Sequence, residues 1–446
     1  MSATTQSYWK RSPFGFLRSE SVLAHNIIVG GGTIAAGVLG VAFQSLASHQ
    51  LRPADYGAVF AVVTLITFIG LPASAFTLMM ARETSRGRAS GHQASSAALL
   101  RGASRTLMLL GFLLGASIAT GSLLLSRFLA VPVELLLAAS VGIPFSFALP
   151  VLLGELQGEE RFAAYALIST GQAGLKLFVA IALGIVFGPL GVIAGISLAT
   201  IIVYGIALRM VRRKISIHSS LPWLRPAAAY LAVVLPSTLA VAVLLSSDVL
   251  LVKHYFSAHA AGNYAAVAAI GRAIFWGATG VAVVLFPKVA FRRARGGSGV
   301  QVVVASLLLV ALGGVLGLLL LSVGSTWLVR GFAGSAYGAG ADYLPWYSVG
   351  MMFLGATAVL VAAHQSRGGA GFLAILVPLA VLEPVLIVSF HESLLQVVQV
   401  MDISMGLAAV GLAAWYVIQE RSEQIAVEVS PLTASVQAVP QLQVNR

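Results

Sequence analysis

The sequence predicts an all-α integral membrane protein of about twelve transmembrane helices, arranged as two parallel six-helix halves around a central cavity. Three observations lead there. Hydrophobic residues make up 58% of the 446-residue chain and charged residues 9%, and mean hydropathy is +0.93; a soluble domain carries about a quarter charged residues. Apolar runs of about 20 residues, the length that crosses a bilayer core as a helix, recur from Val22 to Ile418. The stretch "ADYGAVFAVV" at 54–63 has a near copy, "GNYAAVAAIG", at 262–271.

Polar breaks divide the chain into spans near 22–47, 55–81, 106–129, 134–154, 163–187, 190–211, 227–250, 263–287, 300–323, 343–364, 371–389 and 394–417. The first follows Lys10, Arg11 and Arg18 but is too long for the apolar core of a signal peptide, so it reads as an uncleaved span. A barrel is excluded, because its strands alternate apolar and polar residues over about ten positions. The Gly111/Gly115 and Gly313/Gly317 spacings mark close helix packing. Pro72, Pro144, Pro150, Pro236, Pro378 and Pro384 lie inside spans and permit kinks. The last two flank Leu379 to Glu383, which marks the eleventh helix as a moving part. The segment 418–446 is polar and reads as a mobile tail.

Orientation follows from the basic residues. With the N-terminus inside, inside segments hold 21 Lys and Arg, outside segments hold 4 (Arg52, Arg127, Lys253 and Arg330), and Lys176 and Arg272 fall within spans. Positive charge gathers on the cytoplasmic side, so both termini are expected there. The net charge of +12 is then topology, with attraction to anionic headgroups, and calls for no nucleic acid.

The near copy places Tyr56 and Tyr264 208 positions apart, and Gln157 of "LQGEERF" and Gln365 of "HQSRGGA" share that spacing. The basic loops beginning at 82 and 288 are 206 apart. These matches indicate an N-terminal half, 1–213, and a C-terminal half, 214–417. Six spans per half is an even number, so both halves run the same way, as in parallel-repeat transporters whose site lies at the midplane between them.

Catalysis finds no support. The chain has no cysteine, which removes disulfides, thiolate metal sites and a catalytic thiol. It has no HExxH, Walker A or glycine-rich nucleotide loop, so no cofactor is expected. The longest outside loop, "GSTWLVRGFAGSAYGAGAD" at 324–342, is short for a polymerase that must hold a glycan acceptor.

Four stretches, "LRPADYGAVFAVVTLI", "LQGEERFAAYALI", "DVLLVKHYFSAHAAGNYAAVAAI" and "VLFPKVA", resemble the polysaccharide flippases. These are the O-antigen and capsule repeat-unit translocases of the multidrug, oligosaccharidyl-lipid and polysaccharide exporter superfamily. The resemblance extends over the chain in span number and loop pattern. It implies a V-shaped bundle in the bacterial cytoplasmic membrane that flips a polyprenyl-diphosphate-linked oligosaccharide to the outer leaflet. Its partners would be that substrate, membrane lipid, and the polymerase and other polysaccharide assembly proteins. The alternatives are a cation-coupled multidrug exporter of the same superfamily and a membrane polysaccharide polymerase.

Ionisable residues inside spans are costly and mark cavities or partners. Lys176 lies 13 residues after Ala163, roughly 20 Å into its helix; Arg272 and Glu383 are similarly central. Lys176 and Arg272 are the candidates for holding the diphosphate, as a point charge and as a fork of donors. Arg272→Ala is accordingly expected to abolish export at a normal membrane level. Glu383 is the candidate for a coupling proton or a competing carboxylate, and a Lys176–Glu383 pair tying the halves together is the structural alternative. Asp248 and Asp402 join the ion path or sit at the interface.

Overall fold

The computed structural model describes residues 20–89, 93–215, 228–294 and 299–437. Fourteen α-helices and one 3-10 helix account for nearly all of them, with no strand among the described residues. In the first half α1 is Glu20–Gln50, α2 Pro53–Gly70, α3 Ser74–Ala89, α4 Gln93–Thr120, α5 Ser122–Leu129, α6 Val133–Gly158 and α7 Phe162–Ile215. In the second, α8 is Ala228–Tyr255, α9 Ala258–Ala294, α10 Val300–Val323, α11 Ser325–Ala333, α12 Leu344–Arg367, α13 Leu373–Ser389 and α14 Leu394–Gln437.

Ten helical segments among these are long and apolar enough to cross a membrane, and α13 is a shorter apolar helix. One of the ten, within α7, is a hairpin. Gly188 breaks it at φ 59°, ψ −140°, followed by Pro189; a positive φ of this kind is open to glycine without steric cost. The two legs then return on each other so closely that a Cβ on Gly191 would overlap the Leu183 carbonyl. The hairpin and α13 bring the crossings to the twelve expected. Gly191→Val should destabilise the protein by about 1–3 kcal/mol, read as a lowered melting temperature in detergent.

Several boundaries differ from the sequence reading. The second span is two helices, because Pro72 has no N–H to give and the chain crosses 71–73 in tight turns, with Ser74 N bonded to Leu71 O at 3.0 Å. The third span ends at Thr120, and its last eight residues form the separate helix α5. The long loop at 324–342 is also structured, as α11 and a 3-10 helix, Ser335–Tyr343. The tail expected to be mobile begins as helix, for α14 runs on to Gln437. Its stretch "QERSEQIAVEV" holds no glycine or proline to stop the helix. The link from α7 to α8 and the side chains of the basic loop before α10 lie outside the described residues.

Some packing contacts recur along the chain at a spacing near that of the sequence repeat. Gly111 of α4 sits on Pro144 of α6, and Gly314 of α10 sits on Met352 of α12, where Pro144 and Met352 are 208 positions apart. Arg161 donates to the Met210 carbonyl at 3.1 Å and Arg367 to the Tyr416 carbonyl at 3.3 Å, each across 49 positions. The halves meet along α2 and α9. There backbone touches backbone: a Cβ on Gly262 would overlap the Pro53 carbonyl, and one on Gly57 would lie 2.9 Å from the Gly262 nitrogen. Around this crossing Phe43, Tyr56, Tyr264 and Tyr347 are fully buried.

Candidate functional site

The site begins with two adjacent residues of α8, Ser247 and Asp248. Neighbours in a helix point about 100° apart, so they serve different partners. Asp248 turns toward α9 and α12, and Ser247 toward α13.

Asp248 is wholly buried, as are Tyr264 and Tyr347, and Arg272 is 8% exposed. The Asp248 Oδ2 accepts from the Tyr264 hydroxyl at 3.1 Å and the Tyr347 hydroxyl at 3.0 Å. Its Oδ1 accepts from Arg272 Nη2 at 3.2 Å. Arg272 Nε donates to Tyr347 Oη at 3.2 Å, and Nη2 also donates to the Leu245 carbonyl at 2.5 Å. Nη1 donates to Thr64 Oγ1 of α2 at 3.3 Å, and the guanidinium lies 5.3 Å from the centre of the Phe60 ring. Thr64 and Arg272 are 208 positions apart. That is the spacing of the sequence repeat.

Such a pair is electrically neutral and its polar atoms are bonded on most sides. Little net stability follows from its presence, because desolvation consumes much of the attraction, but removing one partner strands a buried charge. Asp248 is enclosed by protein on a helix that runs on to Tyr255, past the end expected at 250. The guanidinium expected to face the cavity is engaged within the protein, mostly with its own half.

Ser247 Oγ donates to Glu383 Oε1 of α13 at 2.5 Å. Glu383 is wholly buried, and its Oε2 has no hydrogen-bond partner among the described residues. Asp248 and Asp402 both lie within electrostatic reach of the Glu383 carboxyl. Asp402, on α14, is partly buried and presses toward α12, where a Cβ on Gly350 would be 2.5 Å from its Oδ1. That Oδ1 and the hydroxyls of Ser246, Thr357 and Ser404 are likewise buried without partners among the described residues. The helices α8, α12, α13 and α14 thus carry several buried polar atoms without partners among the described residues, carboxyl oxygens and hydroxyls alike.

Lys176 sits apart from these groups. It projects from the first leg of α7, half-buried, with its ammonium 4.4 Å from the centre of the Phe43 ring of α1. Neither an ion pair nor a hydrogen bond joins it to Glu383, which takes Ser247 instead. The inter-half tie considered from sequence is absent, because α7 packs on α1 while α13 packs on α8. Among the described residues no cluster of three or more His, Asp or Glu side chains is placed to hold a metal ion.

Sequence reasoning picked out the charges and missed their partners. Thr64, Ser247, Tyr264 and Tyr347 complete the site, yet hydroxyls are common in apolar spans and none stood out. Tyr264 was in view as half of the repeat, and Thr64 could have been reached by subtracting 208 from Arg272.

No known family pattern and no curated protein matches the chain. Solved structures do. An inward-facing multidrug resistance MATE family transporter of the MOP superfamily superposes with TM-score 0.70 at 14% identity, covering 88% of this chain and 96% of its own. The lipid II flippase MurJ in an inward closed conformation gives 0.65 at 15%, covering 86% of each chain. The MATE multidrug transporter DinF-BH gives 0.64 at 16%, covering 92% and 98%. The chain has their fold. These neighbours are transporters and a flippase, not enzymes.

Proposed function

We propose that the protein is a flippase, carrying a polyprenyl-diphosphate-linked oligosaccharide from the inner to the outer leaflet of the bacterial cytoplasmic membrane by alternating access, for polysaccharide synthesis and export. The observation that carries this reading is the distribution of charge within the helical bundle. Arg272 and Asp248 cancel. What remains among the described residues is an ammonium in the first half, Lys176, and underpaired carboxyls in the second, Glu383 and Asp402. A diphosphate needs the first. A carboxyl without a counter-charge holds a proton or a cation, which supplies the means of coupling.

Lys176 makes the first contact with phosphate, as a mobile point charge. Arg272 joins only when the halves part and Thr64 releases its Nη1. The end bearing the α6–α7 and α12–α13 turns faces the cytoplasm, in keeping with the basic residues there, and the polysaccharide polymerase receives the product on the other side. The same acidic pair would suit a cationic drug, which keeps a multidrug exporter as the second reading.

The test is a leaflet assay with a labelled polyprenyl-diphosphate glycan in vesicles. Lys176→Gln should slow flipping about 10- to 150-fold, the worth of a charged hydrogen bond of ~1.5–3 kcal/mol, and Lys176→Arg should restore much of it. Equal rates in wild type, Lys176→Gln and protein-free vesicles would remove the flippase reading.

A further inference from the structure

Two sets of hydrogen bonds cross between the halves at the end that carries the α1–α2 and α8–α9 turns. In one, the Ser45 hydroxyl of α1 donates to the Phe332 carbonyl of α11 at 2.7 Å, and the Ser48 hydroxyl, whose shorter bond of 2.7 Å goes to the Ser45 carbonyl, lies 3.3 Å from the same oxygen. In the other, His254 Nδ1 of α8 lies 2.6 Å from the Phe128 carbonyl of α5; a carbonyl only accepts, so that nitrogen carries the proton. The donors are equivalent, since Ser45 and His254 stand within one position of the 208-residue repeat.

The acceptors are equivalent too. Helices α5, "SLLLSRFL", and α11, "STWLVRGFA", both start with serine after a glycine, carry arginine in the last turn and present phenylalanine as the penultimate residue. The last carbonyls of a helix have no partner within it, so each short helix offers a free acceptor at its C-terminal end. Both keep an apolar surface away from the bundle, with Leu124 73% and Trp327 77% exposed. Further contacts reinforce each site. Phe128 stacks on His254 at 4.2 Å, and Tyr255 stacks on His391 at 3.8 Å. On the α11 side, the Tyr337 hydroxyl donates to the Ser48 and Leu51 carbonyls at 3.1 and 2.8 Å.

We propose that α5 and α11 are a matched pair of clasps, each hooking the first helix of the opposite half, and that this end of the bundle opens only when both let go. The proposal needs the halves to move and does not depend on what they carry. It assigns a gating role to two short helices that lie outside every charged residue of the central site.

The chain has no cysteine, so Ala261→Cys makes a clean reporter. Ala261 is 4% exposed and borders the Gly57 contact between α2 and α9. Its labelling by a membrane-impermeant maleimide in intact cells reads opening of this end, with no substrate in the assay. His254→Phe keeps a ring beside Phe128 and loses the donor, while Ser45→Ala with Ser48→Ala unhooks α11. Each should speed labelling about fivefold, and the two together about 25-fold, as expected for independent hydrogen bonds holding one closure. Ser126→Ala is the control, because Ser126 Oγ donates to the Val131 carbonyl without leaving the α5–α6 turn; its rate should match the parent. Unchanged rates in both clasp variants at normal protein level, or an equal rise in the control, would overturn the proposal.

Discussion

Arg272→Ala should deplete folded protein from the membrane, and Arg272→Ala combined with Asp248→Ala should restore much of it. The single change leaves a wholly buried carboxylate with only two tyrosine hydroxyls for company, a loss of about 3–5 kcal/mol for a broken buried pair. The double change removes both charges and the penalty with them. Melting curves of solubilised protein and membrane levels by immunoblot would show the two variants diverging. Equal loss in both would mean that Asp248 does not depend on Arg272. This expectation replaces the simpler one read from sequence, in which Arg272→Ala stopped export at a normal protein level. Thr64→Val, which removes only the bond across the halves, should cost about 1 kcal/mol and leave the pair intact.

The second large effect belongs to Glu383. Glu383→Gln preserves an oxygen for Ser247 and nearly the same volume, so the fold should persist. The ionisable oxygen that lacks a partner is gone, however, and with it the place for a coupling proton or cation. Flux in vesicles with an imposed pH or Na+ gradient should fall in this variant to the level seen without a gradient. Asp402→Asn should weaken the gradient dependence less, because Asp402 is only partly buried. Glu383→Gln flux that still follows the gradient would place coupling elsewhere.

The fold was legible because an apolar chain must satisfy its backbone within helices in lipid, and because the polar breaks between helices are short. The break between the fifth and sixth spans was placed within a residue or two of Gly188 for that reason. The short helices α5 and α11 were not legible: eight and nine residues are too few to show a period beside a long apolar run. At the site, Lys176, Arg272 and Glu383 announced themselves as charges in apolar surroundings. Their pairing did not, since it depends on which helix faces which, and a single-residue view of α8 could not say that Ser247 and Asp248 serve two different neighbours. The end of α8 was also set short, at 250 where the helix runs to Tyr255.

The most direct test of the flippase account is to deplete the protein in its host and locate the lipid-linked glycans. The account predicts complete single repeat units trapped in the inner leaflet, out of reach of a glycosidase added from outside. Unchanged lipid-linked glycans, or single units that reach the outer leaflet and are never joined, would contradict it.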